Sequence, residues 1–151
     1  MNTLKTFLSF SLVLITSHLI AQKSTVYTYS LKDFNHATAL YLDKDYTASR
    51  QLFEKVRSQF DANSENKATC DYYIAFAALH LNERDGDELM QDFVENYPTS
   101  TKRNDAFREV SNYYYDYGKY NDALKWFKNV DTKGLTANQE EDFNFKYGYA
   151  L

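Results

Sequence analysis

The chain has 151 residues, 25% of them charged, and a net charge of −4. An acidic surplus argues against a nucleic-acid role, which needs a basic face, and equally against docking on an anionic membrane surface. A single cysteine, Cys70, excludes an intramolecular disulfide, and four glycines with one proline leave no flexible linker, so one domain is expected behind the N-terminal leader.

Residues 1–21 read as a secretory signal peptide. Lys5 supplies a short basic start, Phe7 to Ile20 is an apolar run interrupted by Ser, Thr and His, and Ala21 precedes Gln22. The run is shorter than the ~20 apolar residues of a spanning helix. Cleavage is expected between Ala21 and Gln22, although Leu19 stands where a small residue is preferred; an uncleaved anchor helix is the alternative. Removal of the leader takes away one positive charge, Lys5, and moves the net charge from −4 to −5. No Cys follows the apolar run, so nothing supports a lipoprotein. Residues 22–30 form a short segment before the first repeat.

The rest of the chain reads as helices. Lys32 to Leu42 is the first, followed by a polar break at Asp43, Lys44 and Asp45 and a second helix from Tyr46 to Phe60. Ala68 to Leu81 is the third. Asp85 and Glu88 suit the N-cap and third position of the fourth. Asn104 to Tyr117 carries Phe107, Val110 and Tyr114 on one stripe and is stopped by Gly118. Tyr120 to Val130 places Tyr120, Ala123, Leu124 and Phe127 inward. Thr136 and Gln139 then offer a capping box for a last helix. No segment alternates with period two over a strand's length between turn signals, so the expected class is all-α.

One spacing ties these helices together. Ser49, Gly86 and Ala123 are small residues 37 apart, and four after each stands a bulky apolar one: Phe53, Met90 and Phe127. Ala37, Ile74, Ser111 and Gly148 share the spacing. On a helix, a small residue and a large one four later lie on one face, so a neighbouring helix approaches at the first and the second fills the space beside it. The period implies repeats over residues 31–66, 67–103 and 104–136, with a partial fourth over 137–151.

These residues resemble the tetratricopeptide repeat family. Ala37 with Leu40, Ser111 with Tyr114 and Gly148 with Leu151 match the first helix of its motif; Ser49–Phe53, Gly86–Met90 and Ala123–Phe127 match the second. Pro98 follows Gly86 at the family's distance, and the run Tyr117-Gly118-Lys119-Tyr120-Asn121-Asp122-Ala123 is similar to its turn and second-helix entry. Asn96-Tyr97-Pro98-Thr99-Ser100 resembles the repeat junction of periplasmic members such as the Tol–Pal coordinators, and a leader ending in Ala-Gln is similar to those of exported Bacteroidota proteins. The departures are a unit longer than the usual ~34 residues, Ile74 at a small-residue position, Glu83 in place of the Tyr at Tyr46 and Tyr120, and no Trp opening a repeat.

The resemblance implies a right-handed superhelical array of antiparallel helix pairs. It also implies a concave groove lined by Phe34, Thr38 and Tyr41 in the first repeat, Asp71 and Ala75 in the second, Arg108, Asn112 and Tyr115 in the third, and Phe145 and Tyr149 in the partial fourth. The sequence stops within the first helix of that fourth copy, leaving Phe143, Phe145, Tyr147 and Tyr149 with an open side; the expectation is the N-terminal piece of a longer protein.

Catalytic and metal-binding patterns are weak. His36 and His80 lack a partner at His-x3-His spacing, and His80 with Glu83 makes only a two-ligand pair. Asp85-Gly86-Asp87-Glu88 starts like a calcium loop, but Asn96 stands where the closing carboxylate belongs. There is no phosphate-cradling glycine loop and no Gly-x-Ser-x-Gly elbow. The expected function is a non-enzymatic scaffold of the cell envelope, without cofactor or metal, that binds a protein or peptide segment in its groove. The alternatives are the extracytoplasmic sensor part of a membrane signalling protein, or a glycan-binding envelope protein.

Overall fold

The computed structural model describes residues 28–151. The leader expected over 1–21, its cleavage point and most of the 22–30 segment lie outside them. Among the described residues every regular element is a helix: α1 (28–42), α2 (Tyr46–Arg57), α3 (Glu65–His80), α4 (Gly86–Asn96), α5 (Arg103–Asp116), α6 (Tyr120–Phe127) and α7 (Ala137–Ala150), with a short 3-10 turn at Thr132–Gly134 before α7. Each helix packs against the next in the chain, and α7 also touches α5.

Local chemistry sets the helix starts. The Asp45 carboxylate accepts from the Ala48 N–H, the Ser64 hydroxyl accepts from the Lys67 N–H, and Thr136 with Gln139 completes the expected capping box. The box expected of Asp85 and Glu88 does not form. Asp85 precedes α4 with near-helical φ −88° and ψ −2°, unlike the extended backbone of Ser64 and Thr136, and its carboxylate takes the Arg50 guanidinium at 3.3 Å instead.

The ends also differ from expectation. The α3 helix begins at Glu65 because Ser64 caps it there. The α2 helix stops at Arg57, and Phe60 is buried from the connection that follows. The α6 helix stops at Phe127, where the N–H groups of Asn129 and Val130 bond carbonyls three residues back and tighten the chain into a turn.

One turn is used three times. Lys44, Asn82 and Gly118 have left-handed backbones with φ of 63°, 55° and 70°. In each case that residue's N–H bonds the carbonyl three back, and the next N–H bonds the carbonyl five back: Asp45 to Leu40, Glu83 to Ala78, Lys119 to Tyr114. This is the Schellman closure of a helix C-terminus. It joins α1 to α2, α3 to α4 and α5 to α6 as hairpins.

The small residues lie inside these hairpins. Ser49 is fully buried and its hydroxyl donates to the Ala37 carbonyl at 2.9 Å, across α1 and α2. A Cβ on Gly86 would sit 3.0 Å from the Leu79 nitrogen and 3.2 Å from the Ala78 carbonyl carbon, so α4 meets the backbone of α3 there. Ala123 is fully buried where α6 packs on α5. Phe53, Met90 and Phe127, four residues on in each case, are buried as well. Ser111 is buried too, its hydroxyl donating to the Phe107 carbonyl. Gly148 is different: a Cβ there meets nothing within 4 Å, because no described helix packs on that side of α7.

The core has two parts. Ala37, Phe53, Val56, Phe60, Cys70 and Ile74 fill the first, between α1, α2 and α3. The second runs from α3 to α7 and includes Phe76, Met90, Phe107, Val110, Phe127 and Phe143. Tyr73 and Leu89 pack against both and join them.

Candidate binding surface

Helix α5 carries Arg108, Asn112 and Tyr115 at i, i+4 and i+7, hence on one face. Helix α7 brings Tyr149 against the end of that face. The rings of Tyr115, Tyr120 and Tyr149 form a triangle, with centroids 5.4, 5.7 and 5.5 Å apart. Phe145 stacks beside Tyr149 at 6.4 Å. Phe145 and Tyr149 are 66% and 63% exposed, so most of this aromatic surface meets water. The Lys146 amine lies 5.8 Å from the Tyr115 ring centre and pairs with Asp142 at 3.2 Å.

The polar end of the same face is less well satisfied. Arg108 pairs with Glu109 at 3.2 Å and lies 3.8 Å from Asp105. Its Nε, and the Oδ1 of Asn112 one turn on, are buried without a hydrogen-bond partner among the described residues. Buried polar atoms of this kind cost free energy until something pairs with them. Of the groove residues read from the sequence, Tyr115, Tyr149 and Phe145 are joined by ring contacts, and Arg108 and Asn112 lie on the same face of α5 as Tyr115.

The other five are engaged elsewhere. Phe34 meets Phe53 and Phe60 edge-on at 5.6 and 5.8 Å, closing the first core. The Thr38 hydroxyl bonds back to the Phe34 carbonyl at 3.0 Å. Tyr41 packs among Tyr46, Tyr73 and Phe76, and burial foremost, then Glu109, pushes its hydroxyl pKa up. Asp71 is held by Arg57 and accepts from the Tyr97 hydroxyl at 2.6 Å, tying α3 to the ends of α2 and α4. Ala75 is fully buried.

Two participants escape the sequence reading. Tyr120, read as inward, is 37% exposed and completes the tyrosine triangle; as the first residue of α6 it has no preceding turn to cover it. Tyr72 on α3 donates to the Glu109 carboxylate on α5, and Lys102 lies over its ring at 5.7 Å. Burial, then Glu109, raises the Tyr72 pKa well above its ordinary value, so it remains a donor. Tyr72 and Glu109 are 37 residues apart, the same separation as between the small residues Ser49, Gly86 and Ala123.

Reactive groups are quiet here. Burial pushes the Cys70 thiol up to about 12, which keeps it protonated and poorly nucleophilic. Among the described residues no three His, Cys, Asp or Glu side chains gather at metal-binding distance, and no helix is long and apolar enough to cross a membrane. Comparison of the chain with protein-family models, with curated proteins and with solved structures gives no match.

Proposed function

We propose that this chain is a tetratricopeptide-like array of 37-residue repeats, wound as a right-handed superhelix, and that it acts as a non-enzymatic scaffold docking a protein or peptide segment. Support for the array comes from the three hairpins closed by the same turn and from the buried small residues Ser49, Gly86 and Ala123. The observation that carries the function is the α5–α7 surface. There, the exposed ring of Tyr149, with Phe145 stacked beside it, meets Tyr115, which shares its face of α5 with Arg108 and Asn112, whose buried Nε and Oδ1 have no partner among the described residues. Aromatic side chains and Arg anchor most protein interfaces, and a peptide backbone supplies the acceptor that Arg108 Nε lacks and the donor that Asn112 Oδ1 lacks. The leader over residues 1–21 supports an exported, envelope-associated location.

Selection of peptides on the full chain from an unbiased display library tests this reading. Selected peptides are expected to lose about tenfold or more in affinity with Tyr149→Ala or Asn112→Ala, and to bind unchanged to Gln51→Ala, an exposed position on α2. A selection that yields no binder, or binders indifferent to both α5–α7 substitutions, overturns it.

A further inference from the structure

A cleft of about 410 Å³ opens between α4, α5 and α6. It lies on a different face of α5, since Arg103 and Phe107 line it, while Arg108 follows Phe107 by one residue, about 100° around the helix, and Asn112 by five, about 140° around it. Its size is that of small-molecule sites, roughly 300–1,000 Å³. Val94 and Phe107 form its buried apolar lining, and Trp126 stands 6.0 Å from Phe107 as a further wall.

Arg103 is fixed in this cleft. Its Nε donates to the Val94 carbonyl at 3.1 Å, and its guanidinium carbon lies 4.8 Å from the Phe107 ring centre. Its terminal nitrogens have no hydrogen-bond or ion-pair partner among the described residues, and neither has the indole N–H of Trp126. The acid lining the cleft, Glu95, accepts from Gln91, while Lys125 adds a second positive charge whose amine pairs with Asp122. A guanidinium held rigid with its fork open is pre-organised for a carboxylate.

We propose that this cleft binds a small organic carboxylate carrying an aromatic ring. The ring lies against Trp126 and Val94, and the carboxylate meets the terminal nitrogens of Arg103. The site is separate from the α5–α7 surface and stands whether or not that surface docks a peptide. Recognition is split between two contacts: the apolar wall selects a ring, and the cation selects the anion over a neutral analogue.

Trp126 is the single tryptophan of the chain, so its emission reports this cleft alone. N-acetylphenylalanine titrated into the full chain is expected to change that emission saturably, and N-acetylphenylalanine amide to bind about tenfold more weakly or worse, because it lacks the charge-assisted bond. Arg103→Lys keeps the charge but loses the fork, and is expected to weaken the acid by a similar factor with helicity unchanged by circular dichroism. Tyr149→Ala is expected to leave the titration unaltered. A longer peptide ending in phenylalanine with a free carboxylate separates the sources: tighter binding identifies a chain terminus, weaker binding a free metabolite. No saturable change with the acid, equal binding of acid and amide, or an unaffected Arg103→Lys overturns the proposal; the acid–amide comparison needs no variant.

Discussion

The Ser49 hydroxyl donates to the Ala37 carbonyl at 2.9 Å, and both residues are fully buried where α1 and α2 meet. The bond spans two helices at a point with room for a small side chain only. Ser49→Ala keeps the size and loses the bond, so it is expected to cost about 0.5–1.5 kcal/mol. Ser49→Leu keeps neither and is expected to cost about 1–3 kcal/mol from overpacking. Denaturant melts of the two variants give the ranking directly; a Leu variant as stable as the Ala variant means that the hairpin is loose there.

Gly86 tests the same relationship in the second hairpin with the smallest possible change. An added Cβ meets backbone atoms of Ala78 and Leu79 at 3.0–3.2 Å, and backbone cannot swing away as a flexible side chain can. Gly86→Ala is therefore expected to destabilise by about 1–3 kcal/mol, although alanine is the better helix former. Gly148→Ala, with open space around it, is expected to be neutral or slightly stabilising. Thermal melts of the pair separate close approach from propensity.

The helix count and the close approaches were legible because they follow from size and spacing. A small residue 37 positions from its equivalents leaves a pattern in the sequence whether or not the fold is known. The turns follow it loosely: the left-handed residues Lys44, Asn82 and Gly118 are 38 and then 36 apart, so the second hairpin turns one residue late. Groove positions were less legible. Asp71 and Arg108 occupy equivalent places, but Arg57 and the Tyr97 hydroxyl claim Asp71 from two other elements, a competition that no single-helix pattern records. Phe34 likewise fails as a groove residue because Phe53 and Phe60 close over it.

Stability and binding should separate between two aromatic residues of the C-terminal half. Phe127 is 1% exposed and meets Phe143 and Tyr147 edge-on. Phe127→Ala is expected to cost about 3–5 kcal/mol through the cavity it leaves. Phe145, 66% exposed, is expected to shift stability by less than about 0.5 kcal/mol when changed to Ser, while weakening peptides selected on the α5–α7 surface. Melting curves and peptide affinities measured on both variants should show opposite orderings.

The leader is testable without a ligand. Expressed in a bacterial host, the chain is expected in the periplasmic fraction with Gln22 as its first residue, and intact mass shows this. A product that retains residues 1–21 and sediments with membranes supports the anchor alternative.

His80 sits among rings. It stacks on Tyr46 at 4.3 Å with planes 2° apart, and meets Phe76 and Tyr113 edge-on. Burial foremost, then the positive charge of Lys44 in the α1–α2 turn, lowers its pKa from the ordinary 6.5. The fold thus favours the neutral imidazole, and the unfolded chain binds the proton more readily. The contribution of His80 is complete above the unfolded value near 6.5, declines as pH falls toward the lowered folded value, and is flat below it. The chain carries many other acidic and basic groups, so a single profile does not isolate the histidine. The difference between the parent and His80→Phe does. Melts taken between about pH 8 and pH 5 are expected to show the parent losing stability faster than His80→Phe once pH drops below about 6.5. Parallel profiles would mean that the imidazole accepts its proton as readily in the fold as outside it, and that the ring stack around it is open to water.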